Sequence, residues 1–238
     1  PYEELVAENG RRGPTEPEYE LMDTGVFEED YYFDVFVEYA KAREDDVLAR
    51  VTVVNRGPDP ASCTVLPTLW FRNTWSWGYE SGPMGHTPWK PELSAIDADG
   101  AAADAPAAVV ATHPSPSTGT YYWYSDGAEE PLFTENETNM DRLFNVPSAS
   151  GYVKDAFHRL LVEDEEQAVN PKLIGTKCAA WHEIECAPGE SASLEMVLAR
   201  QPDGNVPAGG ASVIRSRSRE AEAFLDELLP GAGEEERL

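Results

Sequence analysis

Lysine is scarce in this chain: five lysines and 13 arginines stand against 44 acidic residues, giving a net charge of −26. That balance excludes a nucleic-acid partner, whose phosphates must be neutralised by clustered cations, and it disfavours anionic lipid for the same reason. A charge of this size keeps a protein soluble but adds self-repulsion that salt screens. A halophile-like acidic protein whose stability rises with ionic strength is therefore expected. Cysteine is also sparse. Cys63, Cys178 and Cys186 are odd in number and match no zinc-ligand spacing, so buried free thiols are expected. No basic segment followed by an apolar one opens the chain, and with the unpaired cysteine count this predicts a reducing, cytoplasmic location. Pro1 in place of Met suggests a fragment, a trimmed chain or a processed product. No apolar run approaches the roughly 20 residues that a membrane span needs.

Chemical motifs are missing too. There is no Gly-rich phosphate loop, no HExxH helix, no Gly-x-Ser-x-Gly elbow and no CxxC pair, so no cofactor and no metal are expected. The four histidines, His86, His113, His158 and His182, are scattered, and His182 reads as a structural histidine in a strand. A glycosidase needs two carboxylates at a set separation, and among 44 acidic residues sequence alone cannot pick a pair.

What the chain has is aromatic residues in β patterns. The apolar fraction is 41%, and three of the six tryptophans fall in PTLWFRNTWSWG, Pro67 to Gly78, with Arg72 and Asn73 among them. Indole faces beside planar amide and guanidinium groups suit a ligand that is apolar on one face and hydroxylated at its rim, as a sugar is. For Trp70 and Phe71, core packing in a strand competes with that reading. Trp75 and Trp77 follow a polar step and are expected on an exposed, ligand-facing loop. A second cluster, Phe133 to Asn139, followed by Arg142-Leu143-Phe144, offers amides and carboxylates, Glu135, Asn136 and Glu137 among them, to hydroxyl groups. The competing reading is a turn bonded to its own backbone or a cap for Met140–Phe144.

Alternation predicts strands at Tyr31–Tyr39 and Val47–Val54 as an antiparallel pair, then Cys63–Phe71, Ala107–His113, Thr120–Ser125 and Pro131–Thr134. A further pair is predicted at Gly175–Glu185 and Ser191–Arg200, joined by Ala187-Pro188-Gly189-Glu190. The opening stretch to Asp23 reads as a surface arm, Met84 to Pro106 as a loop insertion with a low-complexity piece at Asp99–Ala108, and Tyr152–Leu161 as helix or strand. Ser212–Leu229 has helical spacing after a Pro/Gly linker, Pro202 to Gly210, and Glu234–Leu238 reads as a disordered tail. The fold class is all-β, a large antiparallel β-sandwich with a C-terminal helix. The division expected is a sandwich over 1–205 and a linker helix with an acidic tail over 206–238.

YELMDTGVF from Tyr19, YFDVFVEYAK from Tyr32, PTLWFRNTWSWG, LFTENETN from Leu132, YVKDAFHRLLV from Tyr152 and AVNPKLIGTKCA from Ala168 occur in order along the chain. Together they resemble the amino-terminal region of prokaryotic glucosidase-like proteins related to glycoside hydrolase family 63, the mannosyl-oligosaccharide glucosidase family. The resemblance implies a "supersandwich" packed against a helical-barrel catalytic domain, acting by inversion on a glycoside or oligosaccharide. The family's two catalytic carboxylates lie in that barrel, so no catalytic residue is assigned here. The substrate-facing residues it would imply are Arg72, Asn73, Trp75, Trp77, Glu135 and Asn136. The alternative is a free-standing carbohydrate-binding or protein-interaction module.

Overall fold

The computed structural model describes residues 1–76, 89–96, 107–129, 131–200, 210–231 and 233. Trp77, most of the 84–106 insertion, the 202–209 part of the linker and the 234–238 tail lie outside the described residues. The elements in chain order are α1 (Tyr2–Arg11), β1 (Phe33–Ala40), β2 (Val47–Asn55), β3 (Ala61–Val65), β4 (Thr68–Trp70), β5 (Glu92–Ala95), β6 (Ala107–His113), β7 (Gly119–Ser125), β8 (Leu132–Thr134), α2 (Met140–Phe144), α3 (Ala156–Glu163), β9 (Ile174–Gly175), β10 (Lys177–Ala179), β11 (His182–Cys186), β12 (Ser191–Ala199) and α4 (Gly210–Leu228). The fold is mostly β, sandwich-like and antiparallel in its pairings, as the alternation predicts, with few helices.

The chain divides into two compact units, the first comprising Pro1–Phe36, Thr52–Cys63 and Ile184–Ser193, and the second the remainder. In the first, the expected arm is instead helix α1. Glu3 and Glu4 in its first turn and Arg11 in its last complement the helix dipole. The Asn9 side chain then holds the Tyr19 backbone by two hydrogen bonds of 2.8 Å. Asn55, 2% exposed, ties the following turn together: its Nδ2 donates to the carbonyls of Asp59 and Cys186, and its Oδ1 accepts the Gly57 N–H.

The second unit holds most of a seven-stranded sheet, in the order β1-β2-β12-β7-β6-β5-β9, and a three-stranded sheet, β4-β10-β8; a third sheet pairs β11 with β3. The expected β1–β2 neighbours are found. Residues 175–185 are not one strand and do not pair with 191–200: β12 lies between β2 and β7. The predicted strand Cys63–Phe71 is likewise split between β3 and β4 by Leu66-Pro67, since proline has no N–H to give to a ladder. Strand β5 emerges inside the predicted loop insertion.

Trp123 and Tyr124 on β7 are buried with Leu93 and Val109, and Tyr124 lies opposite Val197. Phe133 on β8 is fully buried and stands opposite Cys178, which also faces Leu69. Burial of a side chain of that size contributes about 1.5–3 kcal/mol. Burial also pushes the Cys178 thiol up, so it stays protonated and inert. The ambiguous 152–161 stretch resolves as α3, whose Ala156 and Phe157 pack with Leu132, Ala168 and Ala179. On α4, Ile214 and Val213 pack on Ala40 and Leu48. His182 is the structural histidine expected: its Nε2 is 2.9 Å from Ser125 Oγ, both are buried, and desolvation lowers its pKa.

One glycine fixes how the second unit's two sheets meet. A Cβ on Gly175 would overlap the Thr134 carbonyl, which accepts the Thr176 N–H at 3.1 Å. Only glycine lets β9 run this close to β8 before the chain enters β10. The contact is with Thr134, the residue that precedes Glu135.

Candidate functional site

Strands β4 and β8 flank β10, so the segments leaving them, 71–76 and 135–139, come together at one end of the three-stranded sheet. Reciprocal hydrogen bonds lock them. Asn73 Nδ2 donates to the Asn136 carbonyl at 2.8 Å, and Asn136 Nδ2 donates to the Phe71 carbonyl at 2.9 Å. The Trp75 indole N–H donates to Glu137 Oε1 at 2.6 Å. Asn73 Oδ1 meanwhile accepts both the backbone and the hydroxyl of Ser76, which fixes the turn.

Thr176 supports this arrangement from below. It is 1% exposed, its hydroxyl accepts the Asn136 N–H at 2.8 Å, and it donates to Glu135 Oε2 at 2.7 Å. Glu135 Oε1 pairs with Lys90 Nζ at 3.1 Å. The helix-cap reading of the 134–139 cluster holds at Asn139, which accepts the Arg142 N–H at 3.0 Å, while Asn136 and Glu137 bond to the loop that carries Trp75.

Above these bonds lies a cleft of about 690 Å³ lined by Trp70, Asn73, Asn136, Glu137, Met140 and Lys154, among others. A volume of several hundred Å³ is in the range of small-ligand pockets. Trp70 is not core. It is 55% exposed and presents its ring system to the cleft wall. Trp75 is half-buried with its indole N–H spent on Glu137, so it braces the site more than it faces it. Arg72 lies exposed on the same loop without lining the cleft. Among the described residues, no hydrogen bond occupies Glu137 Oε2 or Asn136 Oδ1. An aromatic face beside fixed acceptors is the arrangement suited to a polyhydroxylated ring.

The structure brings Asn73, Trp75, Glu135 and Asn136 into one place, with Glu137 from the same polar cluster. Trp70, which alternation leaves between core and ligand, is exposed at the cleft, and Thr176, Lys90 and Lys154 join the group. Glu137 was visible within the polar cluster, whereas Thr176, Lys90 and Lys154 carry no local signal because folding alone brings them there.

A second cleft of about 750 Å³ adjoins, lined by Asn139, Arg142, Ser148, Arg159, Glu163 and Glu165 among others, and Pro147 and Ala149 line both clefts. Both its arginines are paired: Arg142 with Glu163 at 2.8 Å and Arg159 with Glu165. The Arg142 hydrogen bond holds the Glu163 carboxyl below its ordinary value. Among the described residues, no group of His, Cys, Asp and Glu side chains is placed to hold a metal ion. No helix among them is long and apolar enough to cross a membrane.

The chain matches no protein-family model. It is 35% identical over 236 residues to an uncharacterized protein of Saccharomyces cerevisiae, an alignment covering 87% of this chain and 21% of that protein. The chain thus spans about a fifth of the length of that curated relative. The crystal structure of an aldose 1-epimerase candidate from Escherichia coli K12 aligns with 11% identity and a TM-score of 0.28, over 71% of this chain and 60% of that one. A likeness this slight carries no argument about function.

Proposed function

We propose that this chain is the non-catalytic β-sandwich portion of a glycoside hydrolase, α-glucosidase-like and inverting, whose Trp70 cleft shapes a sugar site beside a helical-barrel catalytic domain of the same polypeptide. The observation that supports this most directly is the exposed Trp70 ring on a cleft whose amide and carboxylate groups are already immobilised by one another. Preorganised polar groups bind without a further ordering cost, and an indole face supplies apolar contact to a sugar ring.

Glu137 in the cleft and Glu135 beneath Asn136 favour a binding role over a catalytic one. Glu135 is held by Lys90 and Thr176, and Glu137 by the Trp75 indole. The length of the yeast relative leaves room there for a further domain of the proposed kind.

The test is hydrolysis of a panel of α-glucosides and mannosides by this 238-residue chain and by the complete polypeptide that its gene encodes. Activity in the complete polypeptide alone is the expected result. Activity in the 238-residue chain would place the catalytic carboxylates here and overturn the assignment.

A further inference from the structure

The cleft holds a cation that the rest of the molecule leaves unused. Only five lysines occur in a chain of net charge −26, and two of them, Lys154 and Lys177, lie side by side at this site. Lys177 Nζ donates to the Lys154 carbonyl at 2.9 Å and lies 4.9 Å from the centre of the Phe157 ring. Burial, and next to it the neighbouring Lys154 ammonium, lower the Lys177 pKa, while the Asp155 carboxylate opposes them. Among the described residues, neither lysine makes an ion pair. Lys154 is exposed on the cleft wall.

The nearby carboxylates have other partners. The Lys154 backbone N–H donates to the Glu137 carbonyl at 2.9 Å, so the two residues adjoin, yet the Glu137 side chain accepts the Trp75 indole. Asp155 accepts the Asn139 amide at 3.0 Å and lies 3.8 Å from Arg142. Adjacent like charges are unfavourable, and Asp155 offsets the repulsion without reversing it, since the Lys177 pKa is still lowered. An anion arriving from outside would relieve that repulsion.

Resting on the reading of this cleft as a sugar site, we propose that it takes an anionic sugar, a glycoside bearing a carboxylate or phosphate group, with the ring on Trp70 and the charged group at Lys154 Nζ. Lys177 backs that ammonium, and Asn73, Asn136 and Glu137 face the hydroxyl groups. Their amides and acceptor oxygens would fix the ring, leaving the charge to select among sugars.

Calorimetric titration of the chain with methyl α-glucoside, glucuronate, glucose 6-phosphate and inorganic phosphate tests this. A charged sugar should bind about tenfold tighter than the neutral one, the scale of one charge-assisted contact. Lys154→Met should abolish that advantage, so that charged and neutral sugars bind alike; Lys154 is exposed, so the variant folds. Whether glucuronate or glucose 6-phosphate shows the advantage tells carboxylate from phosphate. Equal affinity for neutral and charged sugars, or an advantage that survives Lys154→Met, overturns the anionic assignment while the sugar site stands. Inorganic phosphate binding as tightly as glucose 6-phosphate also overturns it. Failure of every sugar to bind overturns both this inference and the sugar reading beneath it.

Discussion

Pro147 and Ala149 form a wall common to two clefts of about 690 and 750 Å³, and the chemistry on its two sides differs. On one side an exposed indole stands over amides and a carboxylate bonded to one another through buried Thr176 and half-buried Trp75. On the other, Arg142–Glu163 pairs at the surface and Arg159–Glu165 pairs half-buried. Hydrogen bonds that would leave buried partners unsatisfied cost about 1–3 kcal/mol to break, whereas exposed ion pairs contribute about 0–1 kcal/mol. Similar volume therefore does not mean similar rigidity. The first cleft is held by the core beneath it, and the second by side chains that water and salt can replace.

The largest blow to that contrast is expected from Phe133→Ala. Phe133 is fully buried one residue before Thr134, and its truncation should cost about 3–5 kcal/mol in denaturant unfolding. Gly175→Ala comes next. Its Cβ would displace the Thr134 carbonyl, costing about 1–3 kcal/mol and shifting the Trp75 indole resonance while leaving the Arg142–Glu163 pair in place. Thr176→Val keeps the shape but removes the hydroxyl that serves Glu135 and Asn136, for a loss of about 1–3 kcal/mol.

In the second cleft, Arg142→Met should barely change the melting temperature. It should instead move the Glu163 titration midpoint up toward the ordinary 4.5, read by carboxyl NMR. The sign follows from the lowered folded pKa. The pair's contribution is present above pH 4.5 and is lost as pH falls through the folded value. A large stability loss from Arg142→Met, or a negligible one from Thr176→Val, would break the contrast between the clefts.

Much of this was legible in the sequence, to a definable depth. Period-two alternation located β1, β2, β6 and β7; in β2 it matches burial, with Ala49, Val51 and Val53 on a core, whereas in β1 Val35, Val37 and Tyr39 are exposed. It failed at 175–185, where tertiary packing at Gly175 and the break around Ala180–Trp181 divide one apparent strand into three. It also missed α1, which buries none of its residues and so leaves little apolar pattern to read.

At the site, the two loops were visible as clusters of Trp, Asn and Glu because each is contiguous in sequence. Their joining was not visible, because the Asn73–Asn136, Asn136–Phe71 and Trp75–Glu137 bonds link residues more than 60 positions apart. The exposure of Trp70 could not be read from alternation either. A short strand presents opposite faces at successive residues, and the pattern does not say which one is covered.

The central claim is that the Trp70 cleft binds a sugar ring. The most direct measurement follows the Trp75 indole N–H by NMR as maltose is added, since that proton sits on Glu137 beside the cleft. A saturable shift that weakens about tenfold in Trp70→Ala is expected, the scale of losing one aromatic anchor. No saturable shift, or one that Trp70→Ala leaves unchanged, would contradict the account.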